Sequence, residues 1–236
     1  MKEKIKIITW NVNSVRKRES LIKQMIKDRD PDFIFLQETK STEEQFPKFD
    51  NYVLFHKSEK GKNGVAILTK HKNCEYYNEF SYVGRLVSIK FGSLILSSLY
   101  MYNGFSLVSP KEKKMEMFKW MSDKVAELKI SSIIGGDFNV VYKPQEISKI
   151  TPNPYEADEI YEFQKWEKNF VDTSLKEGAI TWWDYRQSAF YKNIGFGLDK
   201  FYLNTGHTFS KPIVLIDYRK QKPTSDHAPV EIVFFP

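Results

Sequence analysis

Near its end the chain reads "TSDHAPVEIVFFP", which sets Asp226 and His227 just ahead of an apolar run, Val230 to Phe235, with the reading of a buried strand. Other strand-like runs also end in polar residues. Asn11 and Asn13 follow Ile5–Thr9 in "WNVNSVR", Glu38 follows Phe33–Leu36 in "QETK", and Tyr100 closes Leu94–Tyr100. Asp137 and Asn139 follow Ser132–Ile134 in "GGDFNV", and Asp199 stands in "GFGLD". Each has an ordinary explanation: Glu38 can simply end a strand, Asp137 with Asn139 can form an Asx turn, and a single histidine is more often a satisfied polar group than a catalyst. As a set they are harder to call accidental, because sheets fix geometry while the loops at strand ends carry polar groups.

Such a set suits one kind of chemistry. No serine or cysteine has a candidate base beside it, and no cysteine–histidine spacing suggests zinc. Oxygen donors suit a hard ion such as Mg²⁺ or Mn²⁺. A carboxylate base, asparagine and tyrosine donors, and a histidine beside an acid would complete a site for attack of water on a phosphate ester, where positioning and charge neutralisation do most of the work.

The elements that must position these residues are strands with few helices between them. Further strand-like runs are Val65–Thr69, Leu86–Phe91, Leu198–Leu203 and Ile213–Tyr218. One helix is expected around Leu21, Ile22, Met25 and Ile26, a second along Met115, Phe118, Met121, Val125 and Leu128, and a third along Ile160, Phe163, Trp166 and Phe170. "SPKE" and "NPYE" read as capping boxes with Ser109 and Asn153 as N-caps. The mixture predicts an α/β fold with packed sheets and helices outside, in one domain spanning 1–236.

A net charge of +6 favours an anionic partner, nucleic acid before membrane, and clusters at Arg16–Arg18, Lys111–Lys114 and Arg219–Lys222 offer binding faces. No apolar run approaches the roughly 20 residues that span a bilayer. Cys74 is the sole cysteine, so no internal disulfide can form, which fits a reducing compartment, the cytoplasm, with the nucleoid as the place of work in a prokaryote.

In order, "TWNVNSVR", "PDFIFLQETK", "GVAILTK", "IIGGDFNV", "ITWWDYR" and "SDHAPV" resemble the motifs of the endonuclease/exonuclease/phosphatase superfamily, and within it the exonuclease III branch of abasic-site endonucleases. The resemblance implies a four-layer α/β sandwich, two mixed sheets face to face with helices outside. It implies a Mg²⁺-dependent enzyme, with Mn²⁺ as a plausible substitute, that acts as a monomer on double-stranded DNA with abasic sites or 3′-blocked ends. The cut falls 5′ to the abasic site, with 3′→5′ exonuclease and 3′-phosphatase side activities. Glu38 would bind the metal, assisted by Asn11, Asn13 or Asp226; Asp137 would activate water; Asn139 and Tyr100 would contact the phosphate; His227, held by Asp199, would donate to a phosphate oxygen. Trp182, Phe196 and Leu198 match the apolar pocket for an extruded abasic sugar, with plain core packing as the other reading.

The chain departs from the family pattern at Gly197 and near Ile194, where arginines are common, at Tyr102 in place of proline, at Asn13 in place of aspartate, and in a short segment from Tyr142 to Asn153. Two other readings stay open: a phosphoesterase acting on another ester, and a DNA-binding module without catalysis.

Overall fold

The computed structural model describes residues 4–235 apart from 60–61, 108, 129–130, 149–151, 174–178, 205 and 207. Its central strands are apolar on both faces. In β1 (Ile5–Asn11), β2 (Phe33–Gln37) and β4 (Lys62–Thr69), the odd-numbered Ile5, Ile7, Phe33, Phe35, Val65 and Ile67 share one core, while the even-numbered Ile8, Trp10, Ile34, Leu36, Ala66 and Leu68 share another. Successive side chains of a strand point to opposite faces. A strand apolar on both must therefore be covered on both.

Two sheets provide the first cover. One runs β13-β15-β1-β2-β4-β3, with β3 at Val53–Glu59, β13 at Thr208–Phe209 and β15 at Val230–Phe235; β14 (Ile213–Val214) also pairs with β15. The other runs β11-β12-β10-β7-β6-β5, with β5 at Glu75–Tyr76, β6 at Leu86–Phe91, β7 at Leu94–Tyr100, β10 at Ser131–Asp137, β11 at Val171–Asp172 and β12 at Asp199–Asn204. They meet across a core that includes Phe35, Ile67, Val87, Leu96, Ile133, Phe201 and Ile232. Gly135 lets them close: a Cβ there would fall 2.4 Å from the Phe201 ring and 3.0 Å from Phe35.

Helices provide the second cover. α1 (Glu19–Arg29) lays Leu21, Ile22 and Met25 on the outer face of the first sheet. α2 (Lys111–Leu128) and α3 (Ala157–Glu167) cover the second sheet with Met117, Phe118, Met121, Phe163 and Trp166. The expected four layers are present. On α2, Met117 is buried and Met115 only half-buried, so the apolar stripe sits slightly aside from the one read in the sequence. Lys114 shares that buried face and pairs with Glu159 of α3 at 2.9 Å, both out of solvent.

Three local readings need correction. The N-cap of α3 is Glu156, whose side chain forms a capping box with Glu159; Asn153 instead turns its carbonyl to the Tyr155 N–H at 3.1 Å. Ser109 lies in the short strand β9 (Ser109–Pro110), opposite β8 (Phe105–Ser106), and its hydroxyl accepts from Asn103 N–H, so it is used before the helix begins. Ile213–Tyr218 is not one strand: pairing stops at Val214, and Asp217–Lys220 forms the short helix α4. The apolar run there serves two purposes, since Ile213 and Val214 pair with β15 while Tyr218 packs in the layer under α1.

Each sheet is built around one parallel pair, β1 with β2 and β7 with β10, crossed over by α1 and α2. The C-terminal ends of all four strands lie on the same side, and their last or next residues are Asn11, Glu38, Tyr100 and Asp137. Ligands in open α/β folds collect at such edges.

Candidate active site

Register does the positioning. Asp137 sits opposite Asp199 across β10 and β12 and opposite Tyr100 across β10 and β7. His227 pairs with Trp182 in an isolated bridge just before β15, and Trp182 pairs again with Phe196. Glu38, Tyr100, Asp137, Asn139, Trp182, Phe196, Leu198, Asp226 and His227 all line one cleft of about 360 Å³. Asn11, Asn13 and Asp199 stand behind it and touch it through hydrogen bonds.

Asn11 ties the two sheets together at the cleft floor. Its Nδ2 donates to Glu38 Oε1 at 3.0 Å and to Asp137 Oδ2 at 2.9 Å, and its Oδ1 accepts from Asn13 N–H at 3.1 Å. Asn13 donates in turn to Asp226 Oδ1 at 3.1 Å, and Trp182 Nε1 donates to Asp226 Oδ2 at 3.1 Å. Asn139 turns back on Asp137: its backbone N–H meets Oδ1 at 3.0 Å and its Nδ2 meets Oδ2 at 3.2 Å. Glu38 and Asn139 both take the left-handed φ of 48°. For a glutamate this costs on the order of 1 kcal/mol, a strain that recurs where function fixes a side chain.

The electrostatics follow from burial. Burial lifts the Asp137 carboxyl to about 7, against the opposing charge of His227. For His227, burial alone would favour the neutral ring, but the charge and hydrogen bond of Asp199, with Asp137 and Asp226 behind, raise it to about 10. Its Nδ1 lies 2.8 Å from Asp199 Oδ2, and its Nε2 lies 3.8 Å from Asp137 Oδ2. His227 is thus a cation whose free nitrogen faces the cleft. Burial also works against ionised Glu38, yet Lys40 at 2.7 Å and the Asn11 amide hold its carboxyl below the usual range. The Tyr100 hydroxyl is driven well up, by burial and then by the charges of Glu38 and Asp137, so it stays protonated and able to donate.

The donor set suits a hard cation. Glu38 and Asp226 line the cleft with carboxylate oxygens, and Asn11 and Asn13 stand behind them, each donating its amide to one of the two carboxylates. Among the described residues no group of three or more His, Cys, Asp or Glu forms a metal cage. An ion held here would keep several waters, as Mg²⁺ does with one or two carboxylates and a substrate phosphate.

Some supporting residues were not picked out from the sequence. Lys40 neutralises Glu38 and also donates to Asn13 Oδ1 at 2.6 Å. Thr181 Oγ1 accepts from the N–H groups of Leu198 and Asp199, both at 3.0 Å, which fixes the start of β12. Ser225 donates to the Asn11 carbonyl and accepts from His227 N–H. Arg85 stacks over Tyr100 and Tyr102, at 4.6 and 4.1 Å from the ring centroids. Lys40, Thr181 and Ser225 lie within the quoted motifs "QETK", "ITWWDYR" and "TSDH", so proximity to the acids was the available signal. At Gly197 a Cβ would stand 2.8 Å from the Ala179 carbonyl, so any larger residue there would require the backbone to shift.

The model of the Endonuclease/Exonuclease/phosphatase family matches residues 8–227. The chain belongs to that family. Among its family relatives, an exodeoxyribonuclease of Bacillus subtilis is 27% identical over 97% of this chain and 99% of its own length. Recombination repair protein 1 of Drosophila melanogaster is 30% identical over 98% of this chain, which spans 37% of the fly protein. The solved structure of an AP endonuclease from Archaeoglobus fulgidus superimposes with a TM-score of 0.86 at 25% identity, covering 98% of this chain and 99% of that one. A 3′-5′ exonuclease from Neisseria meningitidis gives 0.85 at 25% identity with the same coverage. Nucleases of this family generally depend on a divalent metal.

Proposed function

We propose that this protein is a Mg²⁺-dependent DNA-repair phosphodiesterase that cuts the backbone 5′ to an abasic site. The observation that carries the reading is the meeting of Asp137 and His227 at 3.8 Å, beside Glu38, in a cleft walled by Trp182, Phe196 and Leu198. The relatives support it: among them are an exodeoxyribonuclease and a solved AP endonuclease.

Bound at Glu38, with Asn11, Asn13 and Asp226 near, Mg²⁺ would supply positive charge against the phosphate oxygens. Asp137, poised near neutrality, takes a proton from the attacking water, the condition under which a general base works best. Water oxygen bonds to phosphorus, the bond from phosphorus to the 3′ oxygen breaks, and that oxygen leaves as a 3′-hydroxyl after taking a proton from solvent. His227 Nε2 donates to a non-bridging oxygen as charge builds there, and Asn139 and Tyr100 hold the phosphate. The downstream fragment keeps the phosphate and begins with 5′-deoxyribose phosphate.

The stacked rings of Trp182 and Phe196, 5.8 Å apart at 12°, with Leu198 beneath, form an apolar slot for the baseless sugar. An intact nucleotide must break its pair and its stack to enter, whereas an abasic one gives up less. The deciding experiment uses a duplex with one tetrahydrofuran site, with Mg²⁺ and with EDTA. Incision only with Mg²⁺, at the 5′ side and with an extendable 3′ end, is expected; uncut DNA under both conditions refutes the proposal.

A second substrate has its own support. A neighbour described as a 3′ phosphatase bound to a product DNA hairpin has a TM-score of 0.85 at 25% identity. The same cleft would then remove 3′ phosphates or terminal nucleotides, and a 3′-phosphate primer in the same assay measures the balance.

A further inference from the structure

The basic cluster Arg219 to Lys222 lies away from the catalytic groups, beside a hollow of about 870 Å³ between the 184–191 loop and the segment after α4. Arg219 is only 7% exposed, yet no carboxylate among the described residues forms an ion pair with it. Its guanidinium lies 4.7 Å from the centroid of Phe190 and 5.5 Å from that of Tyr185, and among the described residues its hydrogen bond is a long 3.5 Å to the Trp183 carbonyl. Nε has no partner among the described residues. A buried donor left unpaired is costly unless something outside the chain satisfies it.

The walls add cations and rings. Lys222 and Lys220, the latter paired with Asp217 at 2.7 Å, line the hollow; Asp184, the one acid among its described lining residues, is engaged by Arg186. Tyr191 is 86% exposed. Tyr185 is 52% exposed but fixed, because its hydroxyl accepts from Arg18 and donates to the Thr224 carbonyl, both at 2.9 Å. An exposed, pre-set aromatic face beside Arg219 and Lys222 offers what a nucleotide needs, a face for the base and charge for the phosphate.

Continuity with the cleft names the ligand. An intervening hollow shares Trp182 and Phe196 with the reaction cleft, and Asp184 and Ala189 with the basic one. A strand leaving the cleft past the Trp182–Phe196 stack is therefore led to Arg219. We propose that this hollow is a second nucleic-acid subsite, which takes a phosphate and an unpaired base of a single-stranded segment continuing from the cleft. The proposal rests on the DNA reading of the cleft and extends it to substrates with unpaired ends.

The test compares Tyr191→Ala, Lys222→Gln and their combination with the unaltered protein. Affinity is read in EDTA for a labelled oligothymidylate and for a blunt duplex carrying one tetrahydrofuran site, across a salt series. The double variant should lose about fivefold or more in oligothymidylate affinity and flatten its salt slope by close to one contact, with a smaller change for the blunt duplex. Arg219→Gln should do the same, and should it fail to fold, the two surface variants still decide. Unchanged oligothymidylate binding overturns the proposal, as does equal weakening for both probes, which would assign these residues to the duplex face. Mg²⁺-dependent incision by the unaltered protein is scored separately, so failure of the cleft reading is distinguishable from failure of the subsite.

Discussion

Asp199 Oδ2 stands 2.8 Å from His227 Nδ1, across twenty-eight positions of chain, and both side chains are buried. The carboxylate does two things at once: it turns the imidazole so that Nε2 faces the cleft, and it keeps the ring charged where burial would discharge it. Asp199→Asn should therefore cut kcat by about ten- to a hundredfold, the worth of a buried charge-assisted hydrogen bond. His227 acts as a cation below its own pKa, so losing the group that raises it should move the alkaline limb of the pH–rate profile downward. A slower enzyme with an unmoved profile would mean that Asp199 serves folding alone.

Asp137→Asn keeps the shape and one oxygen that can still accept from the Asn11 and Asn139 side-chain amides, gives up the bond from Asn139 N–H, and removes the base. Single-turnover incision should fall by about a hundred- to ten-thousandfold. DNA affinity measured in EDTA should stay close to that of the unaltered protein. Normal rates would reassign the residue.

Phe196→Ala opens the slot beside Trp182. Discrimination between abasic and intact duplex, taken as the ratio of kcat/KM values, should fall roughly tenfold, more than the rate on abasic DNA falls. Unchanged selectivity would place the sugar pocket elsewhere.

Stability should respond to His56, which lies 7% exposed in β3 with its Nε2 3.0 Å from Thr39 Oγ1. Burial lowers it from 6.5 to about 4. Between those values the unfolded chain carries the extra proton, so stability is full above the unfolded value and declines as pH falls through the window. Urea unfolding at pH 7 and pH 4 should show a loss of up to roughly 3 kcal/mol that is smaller in His56→Gln by about that amount. Parallel losses in both proteins would show that His56 takes up its proton over the same pH range in the fold as in the unfolded chain.

Packed sheets with helices outside were legible from many strand-like runs with few helices between them, and the four layers from the motifs that resemble the family. Asn11, Glu38, Tyr100 and Asp137 stood out because polar residues follow strand-like runs, while their roles came from the resemblance. What escaped was context made by other segments. Ser109 and Asn153 have the residue type of helix caps, but one is consumed by Asn103 and the other by Tyr155. The run from Ile213 to Tyr218 is apolar for two neighbours rather than one. Lys40 is an ordinary surface residue by type, and only the fold sets it against Glu38.

The central claim is that Glu38 and His227 act on the same phosphorus atom. Single-turnover incision of a tetrahydrofuran duplex should be measured with Mg²⁺ for the unaltered protein and for Glu38→Ala, His227→Ala combined, each matched to EDTA controls. The account predicts rapid Mg²⁺-dependent cutting by the first and rates indistinguishable from the EDTA background for the second. Equal cutting by both proteins would contradict it.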